Sequence, residues 1–299
     1  MKYSSIAVRL FEREGEGVFY DPAYHGRTLK IFGMDEYPGK ALKYFADRYR
    51  EIDYGAVIFD TEGTFPEEGF DTVIRVKDGQ GAGLDPLVLA EKGLLDGYTA
   101  ATVVQTIYGL DRALTERLYA DFLAGKVKSV PEAVRSEEKY AEVIMESYTP
   151  LDEVFYSGEP PDFGKNILVA LGETYSITLA GMAFLVVSAV VRHRRKTMIG
   201  VNDAAVLAYT TPGGAAVPLI TRPIRARVAV LATQYAIDSL MNLAGPSLVL
   251  YHDPDTQSVI YETNGVPPGP MRKHVHKGEA AFIYRTPEMI NVEWGKLPL

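Results

Sequence analysis

The 299-residue chain contains no cysteine. That excludes disulfides, a thiolate metal site and a thiol nucleophile. It has one tryptophan and five histidines, of which only His274 and His276 fall close together. An i, i+2 pair beside proline-rich sequence reads as a loop, so the spacing gives no metal site. Basic residues are in deficit: 31 Lys and Arg against 39 Asp and Glu give a net charge of −8. A wholly basic nucleic-acid-binding surface is thereby excluded, although a local patch is not. Also missing is an apolar run of the roughly 20 residues that cross a bilayer. The longest, "ITLAGMAFLVVSAVV" (177–191), reads as a buried core helix closed by the cations of "RHRRK". No signal-peptide pattern opens the sequence. The expectation is a cytoplasmic globular protein without a membrane span, and many tyrosines beside absent cysteine fit a thermophile.

What is present is an α/β pattern interrupted once. "SIAVRLF", "TLKIFG", "YGAVIFD" and "FDTVIRV" read as strands. "GKALKYFADRYREI" reads as a helix from apolar residues at 42, 45, 46 and 49. Strand, helix, strand at this spacing predicts a βαβ unit with a parallel pair. From Pro86 to about Tyr148 the spacing turns helical, with a start at Ser129-Val130-Pro131. It predicts an inserted subdomain of about four helices. The loop "YSGEPPDFG" returns the chain to strands at "NILVAL", "KTMIGVND", "ARVAVLAT" and "PSLVLYH". A long helix is expected over 174–193, a short one at "YAIDSLMNLA", and an extended segment at "SVIYET". "GEAAFIYRTPEMINVEW" closes the chain as a β-hairpin turning at Thr286-Pro287. Continuous apolar strands mean a parallel sheet covered on both faces. The division is 1–85 and 156–299 for the core, with 86–155 as the insertion.

Four strand ends carry candidate chemistry, as the carboxyl edge of an open α/β sheet does. In "IFGMDEYPGKALK" a strand meets a helix through Gly33, Gly39, Lys40 and Ala41. A phosphate loop needs small residues, a lysine and then Ser or Thr for Mg²⁺. Here the glycine and lysine stand, but Pro38 has no N–H, Asp35 and Glu36 repel phosphate, and Ala41 has no oxygen. The glycines are also one residue too far apart. A plain strand–turn–helix is the competing reading. "AVIFDTEGTF" ends a strand on Asp60, with Glu62 in the turn. "MIGVNDAAVL" ends one on Asn202-Asp203: Asn202 is a poor Mg²⁺ partner and Asp203 a candidate base, or the pair is simply a turn. Gln234 ends "VAVLATQ" and can sense a γ-phosphate or orient water, or only satisfy backbone groups. Arg192, Arg194, Arg195, Lys196, Arg222, Arg225 and Arg227 flank two strands and offer phosphate contacts or a solvated edge.

In this order the segments resemble the HerA/FtsK class of P-loop ATPases, hexameric DNA pumps that include the conjugation ATPases. The resemblance covers roughly residues 27–295. "LKIFGMDEYPGKALK" stands in place of the phosphate loop, "AGLDPLVL" in place of the Asn-Pro-Leu entry to the helical insertion with Asp85 for Asn, and "MIGVNDAAVL" in place of the Asp-Glu-Ala strand. "VAVLATQYAIDSL" is similar to the Ala-Thr-Gln segment, and "KGEAAFIYRTPEMINVEW" to the closing hairpin. The resemblance implies a RecA-like P-loop core with ATP and Mg²⁺ as ligands, Gly33, Gly39, Lys40, Ala41, Asp60 and Glu62 near the nucleotide, and Asp203 and Gln234 in catalytic roles. It also implies DNA as a partner, in a homo-oligomeric ring or a hetero-assembly with an active ATPase. Both catalytic elements are altered, which points to a fold kept and hydrolysis impaired. A live ATPase with an atypical loop, and an unrelated α/β enzyme or binding protein, stand beside that reading.

Overall fold

The computed structural model describes residues 3–13 and 15–297. In chain order the first elements are β1 (Val8–Arg13), β2 (Glu16–Tyr20), α1 (Pro22–His25), β3 (Thr28–Phe32), α2 (Tyr37–Glu51), β4 (Gly55–Asp60) and β5 (Thr72–Arg75). A helical stretch follows, with α3 (Pro86–Glu91), α4 (Gly97–Tyr108), α5 (Arg112–Leu123), α6 (Val130–Val134), α7 (Lys139–Met145) and α8 (Pro150–Tyr156). The chain continues through β6 (Ile167–Ala170), α9 (Ile177–Val191), β7 (Thr197–Val201), α10 (Ala204–Ala208), α11 (Thr211–Thr221) and β8 (Arg227–Thr233). It ends with α12 (Asp238–Met241), β9 (Ser247–Val249), α13 (Pro254–Thr263), β10 (Ala280–Arg285) and β11 (Ile290–Gly295).

Two compact units emerge. The first takes the chain up to Phe65, Arg194–Ala205 and everything from Pro223. Its strands lie in the order β11-β10-β9-β3-β8-β7-β4. β9, β3, β8, β7 and β4 are parallel, while β10 and β11 add an antiparallel edge. Every residue of β3, β4, β7 and β8 is buried, which is why the interiors of β4, β7 and β8 run apolar without alternation. α2 lies on this sheet through Leu42, Phe45, Ala46 and Tyr49. It comes so close to β7 that a Cβ at Gly200 would stand 2.8 Å from Leu42 Cδ1 and 2.7 Å from Ile58 Cδ1. The βαβ unit of the sequence is present, but β3 and β4 are not neighbours: β8 and β7, from much later in the chain, lie between them. β1 and β2 form a separate antiparallel hairpin.

The second unit holds Pro66–His193 and Val206–Arg222. Within it β5 and β6 pair in parallel. Six helical segments, α3 to α8, occupy 86–156 where about four were expected; Gly93, Gly109 and Gly125, each with positive φ, follow the ends of α3, α4 and α5. Asp85, Asp96, Asp111, Ser129 and Thr149 each cap the helix that follows. α9 is capped by Ser176 and buried along nearly its whole length. No helix among the described residues is long and apolar enough to cross a membrane.

Two further readings are corrected. "SVIYET" is helical, not extended: Asp253 accepts from Thr256 N–H and Pro254 opens the first turn of α13. α10 and α11 were not foreseen, since Gly213, Gly214, Pro212 and Pro218 look like breakers. Thr210 caps α11 by accepting from Gly213 N–H, and the helix packs on α9, where Gly181 leaves room for the Thr210 side chain.

Candidate functional site

Parallel order puts four strand ends of the first unit side by side. β3 ends against β8, β8 against β7, and β7 against β4, with Phe32 beside Thr233 and Phe59 beside Val201. The residues that follow each strand therefore meet at one edge: Gly33, Gln234, Asn202-Asp203 and Asp60–Thr64.

They meet in one hydrogen-bonded network. Asp60 is buried and accepts from the Phe65 N–H at 2.9 Å and the Glu62 N–H at 3.2 Å, which fixes the turn after β4. Asn202, also buried, donates its amide to Asp60 Oδ1 at 3.3 Å, Glu62 Oε2 at 3.1 Å and Thr64 Oγ1 at 3.2 Å. Gln234 donates to Glu62 Oε1 at 2.9 Å. Glu62 thus joins β4, β7 and β8. Asp203 has a left-handed backbone, φ 50°, and its Oδ1 is buried without a hydrogen-bond partner among the described residues. Burial pushes its carboxyl up to about 6, with the Glu62 charge adding, while Thr233 and the Gln234 N–H act in the opposite direction.

Sequence reasoning passed over two members. Thr64 sits in the quoted turn and binds both Asn202 and Asp60. His252, buried after β9, has its Nε2 2.8 Å from the Gln234 carbonyl oxygen and its Nδ1 2.6 Å from Asp253 Oδ2. A histidine after an apolar strand is the only signal that marked it.

The segment after β3 is a tight turn. Helix α2 starts at Tyr37, ahead of Gly39, because Pro38 suits a first turn and has no N–H to satisfy. The Gly33 N–H donates to Thr233 O, Met34 to Tyr251 O, Tyr37 to Met34 O and Lys40 to Glu36 O. A phosphate loop keeps such groups free to curl around an anion. Asp35 takes φ 55° to close the turn. The Lys40 ammonium pairs with the Glu36 carboxylate one helical turn back, both side chains being exposed. Ala41 is fully buried and brings no oxygen. Gly39 faces the Asn202 amide, where an added Cβ would lie 3.5 Å from Nδ2. This donor set does not fit a Mg²⁺–nucleotide held as a phosphate loop holds it.

Two of the basic residues have structural partners or burial of their own. Arg227 is buried at the start of β8. Arg192 donates to Asp96 and Thr99, both at 2.6 Å, and so belongs to the start of α4. Asp85 accepts from the Leu87, Val88 and Val130 N–H groups, joining α3 to α6. Burial drives its carboxyl up to about 7 against those three bonds.

No family model matches the chain. No curated protein matches it. Solved structures do. VirB4 of Thermoanaerobacter pseudethanolicus aligns with a TM-score of 0.69 at 13% identity, over 99% of this chain and 97% of its own. The plasmid coupling protein TrwB, in complex with the non-hydrolysable GTP analogue GDPNP, aligns with a TM-score of 0.50 at 12% identity, over 91% of this chain and 85% of its own. At this identity the likeness speaks for the fold, and the fold is the RecA-like P-loop fold of those proteins, as the motif order implied.

Proposed function

We propose that this chain is a DNA-pump-type ATPase by descent in which hydrolysis is impaired, and that it serves as a DNA-associated or scaffold subunit. The core, 1–85 and 156–299, would carry the vestigial nucleotide edge, and 86–155 the insertion. The observation that carries this reading is the placement of Gly39 and Lys40 inside α2, with the Lys40 N–H and ammonium both engaged by Glu36. The fold likeness to VirB4 supports the descent. Asn202 supports the loss: its amide binds carboxylates instead of adding a charge for a metal. Its partners on this reading are DNA, copies of itself, or an active ATPase. Calorimetric titration of ATP with and without Mg²⁺ tests it. Binding no tighter than millimolar, unchanged in Lys40→Ala, is the expected result.

A second reading rests on Asp203. Its carboxyl, pushed up to about 6 beside Gln234, is a poised base. It makes the chain an active ATPase with an atypical loop. Phosphate release lost in Asp203→Ala, and stimulated by DNA, would favour it over the first.

A further inference from the structure

A cavity of about 380 Å³ opens beside the β1–β2 hairpin in the first unit, and none of its residues belongs to the strand-end network. Four aromatic rings line it. Tyr3 and Phe19 lie with centroids 4.5 Å apart, and so do His25 and Tyr284. They come from four places in the chain: the segment before β1, then β2, α1 and β10. The Phe19 ring lies across Gly17, where a Cβ would stand 2.7 Å from its Cε2. His25 is neutral by its own hydrogen bonding. Its Nδ1 accepts from the Asp21 N–H at 2.9 Å, which a doubly protonated imidazole cannot do. Burial agrees, pushing the imidazole down to about 4 against the nearby Asp21 charge. The fourth ring therefore brings no positive charge to the cavity at neutral pH.

Three charged side chains join the rings: Arg13, Glu16 and Glu293. Arg13 pairs with Glu293 at 2.6 Å, so those two charges cancel. Glu16 is exposed and has no ion pair among the described residues, which leaves the lining with a net negative charge. Ring faces attract a cation through their quadrupole, and the attraction is largest for a cation that gives up its water easily. A primary ammonium has three N–H groups that each need an acceptor, and a hard metal ion needs six or more oxygens. A quaternary ammonium needs neither: rings around it and one carboxylate nearby suffice. We propose that this cavity binds a quaternary ammonium group against its ring pairs, with Glu16 as the countercharge. The same head occurs on small choline-like molecules and on the trimethylated lysine of a partner chain. This site is separate from the nucleotide edge and does not depend on the function proposed there.

The test titrates the full chain calorimetrically with choline and with 3,3-dimethylbutan-1-ol, which has the same shape without the charge. Choline binds saturably, and the neutral isostere binds about tenfold more weakly or not at all. Tetramethylammonium displaces choline, and plain ammonium at the same concentration does not. Tyr3→Ala and Glu16→Gln each weaken choline by about fivefold. Both side chains are exposed, so neither change disturbs the core. A short peptide carrying trimethyl-lysine, beside its unmethylated copy, separates the two sources. A peptide that binds at least tenfold tighter than choline, only when methylated, assigns the site to a partner chain; choline binding as tightly as the peptide assigns it to a small molecule. The proposal is overturned if choline does not saturate, if the neutral isostere binds equally well, if ammonium competes as well as tetramethylammonium, or if both variants bind like the native chain.

Discussion

Asp203 holds a carboxyl where its surroundings oppose the charge, and the sign of the consequence is fixed. Its folded value, about 6, lies above the ordinary 3.8. The folded chain therefore keeps its proton between those values while the unfolded chain loses it, and stability falls as pH rises through that window. Above pH 6 the full cost is present. Asp203→Asn should raise stability at pH 7 by about 1 kcal/mol, allowing for partial exposure, and leave it unchanged below pH 4. Asn also tolerates the left-handed backbone. Denaturant titration at both pH values checks this. Asp85 behaves differently because three N–H groups depend on it. Asp85→Ala strands them and should cost about 2–4 kcal/mol. Asp85→Asn should cost less, since one oxygen remains for α3 while the other position, now NH₂, meets the Val130 N–H. At this scale the sequence was informative where a residue ends an apolar strand. Asp60, Glu62, Asp203 and Gln234 were singled out at or just after such strand ends, and the fold brings those ends to one edge. Thr64 and His252 were not, because their roles come from neighbours 138 and 18 residues away that only the packed sheet supplies.

Elements with ordinary signals were read close to their true bounds: β3, β4, α2, α9, β8 and the closing hairpin. The failures have two causes: tertiary packing outweighed local propensity in α11, and a local helix-start signal was underread in α13. α11 carries two glycines and two prolines, yet it is a helix because it packs on α9. Gly213 is needed there, since a Cβ would lie 2.0 Å from the Leu207 carbonyl oxygen, whereas at Gly214 the nearest atom is 3.2 Å away. Gly213→Ala should therefore destabilise by about 3 kcal/mol. Gly214→Ala should stay within about 1 kcal/mol, because helix propensity gained offsets the mild crowding. Thermal unfolding of the pair distinguishes them. In α13 the β-branched Val259-Ile260 suggested a strand, but the Asp253-Pro254 start was the stronger signal and prevailed. The same lesson applies to the turn after β3: Pro38, read as a missing donor, is what lets α2 begin early and take in Gly39 and Lys40.

At the scale of the molecule, fold and chemistry separate. The order of motifs was enough to foresee a RecA-like core. The distance between β3 and β4 in the sheet was not foreseeable, because β8 and β7 arrive from more than a hundred residues later in the chain. Whether Lys40 could reach an anion was also closed to the sequence, since it depends on where α2 starts. On the proposed function, hydrolysis at this edge is impaired because the turn before α2 is bonded to its own chain and Ala41 brings no oxygen. Glu36→Gln removes an exposed ion pair worth at most about 1 kcal/mol, so it should tighten ATP binding by no more than about fivefold and leave turnover absent for want of a hydroxyl at Ala41. The most direct measurement is phosphate release from ATP with Mg²⁺, with and without DNA, comparing the native chain with Lys40→Ala and Asp203→Ala. The expected result is the same background rate for all three. Turnover in the native chain that both substitutions abolish would contradict it.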